Sequence, residues 1–512
     1  MRVGIDVGGT HTDAVIVDGD RVVASHKAVT SPDITGGILE ALRAVLDTVR
    51  PEPGQIDAVM LGTTQFTNAV VERRQLAEAA VIRLGLPAGE CLPPMVDWPE
   101  DLACALGNHS YMVRGGNEFD GGEISPLDTA ELEAVFARIA ATNARAVAIS
   151  AVFSPLSPWM EQQAGEMLKA RLPDMPVVLS HELGRLGLLE RENAALLNAS
   201  LLDMSAQVVD AFEAALSGLD IQAPFFVSQN DGTVMPSRRV RRFPVLTFSS
   251  GPTNSMRGAA HLSGIDDGIV ADVGGTTTDV GMLIGGFPRE STWNVEIGGV
   301  RSNFRMPDVL SVGLGGGSIV AGDGHTVGPR SVGHRLGEEG LCFGGGTLTA
   351  TDIAVAAGRA ELGDRRALGA VPADTVGAAL ETMREQVSRA VEQMKTRPEP
   401  LPLIVVGGGE FLVGDRIPGI SAIHRPPHCG VANAVGAALA KVSGECELLH
   451  HPRTESREEA IAEAGATAKR NAIAVGAAPD GVQIASIDEA PLPYMPEETV
   501  RLRVRAVGDL AV

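Results

Sequence analysis

Short apolar runs and helix-spaced apolar positions alternate along most of the chain. Val3 to Val7 reads as a buried strand and Ala14 to Val17 as a second. After a turn at Asp18-Gly19-Asp20 comes Arg21 to Ser25, the pattern of consecutive antiparallel hairpins. The spacing predicts a helix over 33–49 and buried strands at Ile56 to Leu61 and Ala79 to Leu84. Helix 128–141, strand 145–152, helix 158–171 and strand 175–180 continue the βα alternation of a mixed α/β sheet. Residues 87–125 are rich in Pro and Gly and lose the periodicity. They are expected to form an insertion, a mobile lid over a cleft or at a subunit contact. A helical stretch from about Leu188 to Leu216 reads as a connector, with a second unit starting near Ala223. There the pattern gives strands Ile269 to Asp272, Asp279 to Ile284 and 401–406, and helices 351–361, around 372–395 and 431–442. A charged helix near 454–470 and strands 482–487 and 498–505 form a small appended α+β element.

One stretch occurs twice. "GIDVGGTHTD" runs from Gly4 to Asp13 and "VADVGGTTTDVG" from Val270 to Gly281, their opening aspartates Asp6 and Asp272 lying 266 positions apart. Gly8 and Gly9, and again Gly274 and Gly275, remove the side chains that would keep an anion from the backbone. Thr10 and Thr12 in one copy, and Thr276 and Thr277 in the other, are expected to add hydroxyl donors at the rim. Successive free N–H groups in such a turn form a concavity for phosphate. Asp6 and Asp272, at the strand ends, are then the residues to hold a hydrated Mg²⁺ against phosphate oxygens, and the expected catalytic carboxylates. Asp13 and Asp279 either brace the loops or reach Mg²⁺-bound water. Two ordinary Gly-rich hairpins in a chain with 60 glycines is the plain alternative. Repetition of the motif in the same strand context favours the phosphate reading.

Two such loops on two similar domains, facing across a cleft, resemble the actin, sugar-kinase and Hsp70 ATPase superfamily. That resemblance implies two ribonuclease-H-like domains around a nucleotide cleft, with ATP and Mg²⁺ as cofactors. Boundaries of 1–185, 186–445 and 446–512 are expected, the insertion at 87–125 belonging to the first. "IVVGGGEFL" (Ile404 to Leu412) places Gly407, Gly408 and Gly409 where the superfamily packs glycine backbone against adenosine. No Gly-x-x-x-x-Gly-Lys-Ser/Thr stretch occurs, which excludes the P-loop alternative.

Composition narrows the field. A chain of 512 residues exceeds one hydrophobic core and implies two or three domains. A formal charge of −22 argues against nucleic acid or an anionic membrane as partner, since both need basic surface. No apolar run is long enough to suggest a membrane span. Five scattered cysteines and the absence of a signal-peptide pattern lead us to expect a cytoplasmic protein.

Six segments, the second loop among them, occur in one order. They are "GTTQFTNAVVERR" (Gly62 to Arg74), "SHELGRLGLLERENAALLNASL" (Ser180 to Leu201), "SSGPTNSMRGA" (Ser249 to Ala259), "DVGGTTTDV" (Asp272 to Val280), "SVGLGGGSI" (Ser311 to Ile319) and "VGPRSVG" (Val327 to Gly333). Together they resemble the hydantoinase/oxoprolinase family, the A-type subunits that include ATP-dependent hydantoinases, 5-oxoprolinases and related ketone carboxylase subunits. The similarity runs over about Met1 to Ser443. After "VGPRSVG" the family typically carries Pro-Gly-Pro-Ala-Cys-Tyr-Gly, where this chain has "HRLGEEGLCFGGGTLTATD". The resemblance implies ATP-dependent O-phosphorylation of a cyclic amide or imide, a second B-type subunit and an oligomeric assembly. Phosphorylating an amide oxygen creates a leaving group and an electrophilic carbon, and two loops with Mg²⁺ would stabilise the spreading charge. A small-molecule kinase, a carboxylase subunit acting on a ketone or enol, and a non-enzymatic ATP switch are the alternatives.

Remaining motifs are ambiguous. His424, His428 and Cys429 in "HRPPHC" are three possible metal ligands or parts of a surface loop. His325 and His334 meet a substrate or sit on exposed loops. "GLGGGS" (Gly313 to Ser318) is either an oxyanion site or a structural crossing.

Overall fold

A computed structural model of the chain describes residues 1–8, 11–29, 34–52, 54–183, 186–291, 295–304, 306–492, 495 and 498–511. Gly9 and Thr10 of the first loop lie outside these residues. Strands β1 (Arg2–Val7), β2 (His11–Asp18) and β3 (Arg21–Val29) form an antiparallel meander. Helix α1 (Ile34–Val49) packs on β2 and β3. Strand β4 (Ala58–Thr63) lies parallel to β1 on its other side and leads into α2 (Gln65–Glu72). β4 is buried along its whole length, so it carries a continuous apolar run rather than an alternating one.

A second sheet interrupts the first. Its elements are β5 (Ala79–Leu86), α3 (Glu100–Ala105), β6 (His109–Arg114), α4 (Thr129–Ile139), β7 (Ala146–Ala151), α5 (Trp159–Arg171) and β8 (Val177–Leu179). The four strands are parallel in the order β6-β5-β7-β8 and have their own core. Residues 87–125, expected as an irregular lid, therefore contain a helix and a paired edge strand. Val113 alone is fully buried in β6, so the segment lacked a legible period. Trp98 from this segment donates to Asn193 Oδ1 at 2.8 Å, and Asp97 pairs with Arg301. Helix α6 (Leu188–Gly218) runs behind the inserted sheet. Their interface holds buried charge: Arg83 pairs with Glu192, while Glu161 accepts hydrogen bonds from Ser180 at 2.6 Å and from the His181 backbone at 3.0 Å. Charges without water need such partners.

After α6, β9 (Phe225–Ser228) returns to pair in parallel with β4, and β10 (Val234–Pro236) adds antiparallel to β9. The strand expected to open a second unit near Ala223 thus completes the first sheet, in the order β10-β9-β4-β1-β2-β3. Pattern alone does not say which sheet a buried strand joins.

Helices α7 (Ser237–Arg242) and α8 (Ser250–Ser263) lead to the other large sheet. It comprises β11 (Gly268–Val273), β12 (Thr278–Ile284) and β13 (Phe287–Pro288), then, beyond the hairpin β14 (Val295–Ile297) and β15 (Val300–Ser302), β16 (Val309–Val312). A hairpin of β17 (Ser318–Val320) and β18 (Val327–Ser331) and helices α9 (Leu336–Glu339), α10 (Ala350–Ala356) and α11 (Ala373–Met394) precede β19 (Leu401–Val406) and β20 (Ile420–His424). The order is β13-β12-β11-β19-β20, with β16 also on β12. Each large sheet has a leading strand with an antiparallel partner on one side and a parallel strand on the other. The fold is thus α/β, with two ribonuclease-H-like sheets.

Helix α12 (Ala432–Ala438), late in the chain, packs back on β1 and β2 of the first sheet, while α8 packs on β11, β12 and β19. The two helices cross with almost no gap: a Cβ built on Gly258 would fall 2.0 Å from Ala432 O, and one on Gly436 1.9 Å from Asn254 O. The C-terminal element begins at β21 (Val442–His450) and continues through α13 (Arg457–Ala474), β22 (Gln483–Pro491) and β23 (Val500–Gly508), a three-stranded antiparallel sheet under one helix. Among the described residues, no helix is long and apolar enough to cross a membrane.

Candidate functional site

The sequence repeat is a structural repeat down to its register. In the first hairpin Asp6 faces Asp13 and Val7 faces Thr12; in the second, Asp272 faces Asp279 and Val273 faces Thr278. Both turns close with the same bond, Gly8 N to His11 O at 3.0 Å and Gly274 N to Thr277 O at 2.9 Å. Each aspartate therefore ends an equivalent strand beside an equivalent glycine turn.

The two carboxylates meet at the crossing of α8 and α12. Asn433, on α12, donates from Nδ2 to Asp6 Oδ2 at 3.3 Å. Ser255, on α8, contacts both Asp272 Oδ2 and Asn433 Oδ1 through its hydroxyl. A polar chain Asp6–Asn433–Ser255–Asp272 thus spans the two sheets. Lys27 of β3 lies opposite Asp13 in the β2–β3 ladder and pairs with it at 2.6 Å. Its ammonium also bears on Asp6, Asp272 and Glu410, and stands 3.9 Å from where a Cβ on Gly408 would be.

Electrostatically the site resists negative charge. Burial, then the Asp13 carboxylate, push the Asp6 carboxyl up to about 7, against the pull of Asn433 and Lys27. Burial raises Asp13 despite Lys27, raises Asp272 despite the Ser255 hydrogen bond, and takes Asp279 to about 6. Carboxyls crowded in this way favour a bound cation.

The third glycine segment packs on the second loop. Gly409 N donates to Val273 O at 2.8 Å, and Gly407, at φ +89°, leaves no space for a Cβ, which would fall 2.4 Å from Asp272 Oδ1. Gly408 is the exposed member, facing Lys27.

Two family models match the chain: "Hydantoinase/oxoprolinase N-terminal region" over residues 2–172 and "Hydantoinase/oxoprolinase" over residues 191–364. The chain belongs to the hydantoinase/oxoprolinase family. The alpha subunit of caprolactamase from Pseudomonas jessenii is 30% identical over 417 residues, covering 76% of this chain and 58% of the relative. The gamma subunit of acetophenone carboxylase from Aromatoleum aromaticum is 27% identical over 391 residues, covering 70% and 53%. The chain thus spans a little over half the length of these two relatives. The crystal structure of ATP-dependent caprolactamase from Pseudomonas jessenii superposes with a TM-score of 0.78 at 22% identity, over 99% of this chain and 87% of that one.

Thr12 is not at a rim: it is 1% exposed, the first of a continuous buried run that extends along β2 to Val17. Its counterpart Thr278 is likewise buried and donates to Leu314 O at 2.6 Å. Thr276 and Thr277 are exposed, as are His325 and His334. In "GLGGGS", Gly316 N and Gly317 N donate to the carbonyls of Gly274 and Gly275 at 3.0 and 2.7 Å, so the segment braces the second loop from behind. Cys429 O accepts from Gly407 N at 2.9 Å, fixing the glycine turn, while His424 and His428 are exposed. Among the described residues no group of three His, Cys, Asp or Glu is placed to hold a metal together.

Asp6 Oδ1 is buried and has no hydrogen-bond partner among the described residues, and a buried orphan acceptor fits a cation or its bound water. Mg²⁺ typically takes one or two protein carboxylates, with phosphate and water filling the rest, which agrees with paired aspartates rather than a closed cage. Lys27, Ser255 and Asn433 were not singled out in the sequence. Lys27 was findable from the hairpin register that sets it opposite Asp13. Ser255 and Asn433 are lone polar residues in small-residue helices, and nothing local marks them.

Proposed function

We propose that this chain is an ATP-dependent enzyme subunit that activates a cyclic amide or imide by O-phosphorylation, with a partner subunit completing hydrolysis. The observation that carries the reading is the pairing of two glycine loops, identical in register, whose aspartates meet at one site beside Lys27. Asp6 and Asp272 would hold Mg²⁺, which would neutralise charge on the transferring phosphoryl group. Backbone N–H groups of the loops other than those of Gly8 and Gly274, which close the turns, would bind phosphate oxygens, with Lys27 adding a positive charge as the γ-phosphoryl leaves ADP for the substrate oxygen. Gly408 offers bare backbone beside Lys27 for the nucleotide. Water attack on the activated carbon, with the ring nitrogen taking a proton as its C–N bond breaks, would open the ring to an acyl phosphate, and a second water would release phosphate and leave the carboxylate. Likeness to an acetophenone carboxylase subunit favours one second reading, phosphorylation of a ketone or enol oxygen before carboxylation.

A screen of Mg²⁺-dependent ATP consumption across hydantoins, 5-oxoproline, lactams and ketones, with the products identified, tests both. Turnover stimulated by a lactam or imide supports the first reading, and stimulation by ketones alone supports the second. If no member of the panel raises ATP turnover, with or without the partner subunit, both fail.

A further inference from the structure

We propose that Ser255 and Asn433 are positioning residues that fix the Asp6 and Asp272 carboxylates relative to each other across the two sheets, an inference that rests on the phosphoryl-transfer reading above. Helix α12 lies on the first sheet and presents Asn433 to Asp6; α8 lies on the second and presents Ser255 to Asp272. Ser255 and Asn433 touch each other where the helices cross. Each aspartate is thus held by a residue of the helix covering its own sheet, and the two holders are joined.

Docking the helices does not require this polar link. The crossing is set by backbone contact at Gly258 and Gly436, and Val431, Ala434, Val435 and Ala438 pack against Val15 and Val17. Ser255 is completely buried, and burying a hydroxyl and an amide at a helix crossing is unfavourable unless their hydrogen bonds are made. The bonds they make run to the two loop carboxylates. The role that remains is orientation, and in a phosphoryl-transfer site a displacement of about 1 Å costs on the order of a hundredfold in rate.

The test uses the full chain with Ser255→Ala, Ser255→Thr, Asn433→Ala and the Ser255→Ala/Asn433→Ala pair. Thermal unfolding, ADP affinity by calorimetry with and without Mg²⁺, and kcat and KM for ATP with a stimulating substrate are measured. Each alanine variant should lower kcat by about tenfold or more while KM for ATP moves by less than about threefold. ADP affinity without Mg²⁺ should stay near wild type, whereas the gain on adding Mg²⁺ should shrink. The double variant should fall no further than the weaker single one, and Ser255→Thr should recover most of the rate. Wild-type kcat and wild-type Mg²⁺ gain in both alanine variants would overturn the assignment. So would losses that merely track a lowered unfolding temperature. If wild-type protein neither turns over ATP nor binds ADP, the phosphoryl-transfer reading itself fails and this inference falls with it.

Discussion

Asp6 is a carboxyl that the fold keeps short of water, with one oxygen that finds no partner among the described residues. Its folded value of about 7 stands well above an unfolded aspartate near 4. The native state therefore holds a proton between those values that the unfolded chain has released. The resulting stability is fully present below about pH 4 and is lost as pH rises through about 7. Asp6→Asn keeps an acceptor for Asn433 and removes the charge, so it should flatten this slope. Comparing unfolding at pH 5 and pH 8, the variant should lose less stability than wild type, by on the order of 2 kcal/mol. An equal loss in both proteins would mean that Asp6 carries its charge without penalty in the fold. Asp6 and Asp272 were legible in the sequence because the motif occurs twice. Lys27 needed one further step, since one lysine in a strand reads as a solvated side chain until the hairpin register sets it opposite Asp13.

At the scale of elements, chemistry at the site depends on how closely α8 and α12 approach. Gly436 and Gly377 are both helical glycines, yet they sit in opposite environments. A Cβ on Gly436 would strike Asn254 O at 1.9 Å, and backbone has no rotamer by which to yield. Gly377, in α11, has nothing within 4 Å. Gly436→Ala should destabilise by about 1–3 kcal/mol or more through overpacking. Gly377→Ala should stabilise by up to about 1 kcal/mol, because alanine restricts the unfolded chain and suits a helix. Denaturant unfolding of the two variants checks the sign as well as the size; a neutral Gly436→Ala would show that the helices can separate. The βα alternation made most helices and strands readable in advance. What the pattern did not carry was pairing, since β9 joins the first sheet and α12, which follows the last strand of the second sheet, packs back on the first. Such choices are made by long-range packing, which leaves no local period in the sequence.

Across the whole molecule, the nucleotide centre proposed at the paired loops is distinct from a cavity of about 540 Å³ between the inserted sheet, the end of β9 and the C-terminal element, lined by His181, Arg239, Phe304, Ser443 and Asn471 among others. None of the described loop residues lines that cavity. If nucleotide binds as proposed, the two hairpins must respond together, because Asp6 and Asp272 share one polar chain and one lysine. A nucleotide held by the second loop alone would leave the first exchanging as in the free protein. Hydrogen exchange with and without Mg²⁺ and ADP separates these cases. Peptides covering β1–β2, β11–β12 and Gly407 to Glu410 should all gain protection, since each contributes backbone next to the proposed phosphate and nucleoside positions. Peptides of β5 to β8 should be unchanged, since none of the described residues bonded to Asp6, Asp272 or Lys27 comes from that sheet. Protection confined to β11–β12 would make the site one-sided, and the first hairpin would then be a structural copy without a phosphate to hold.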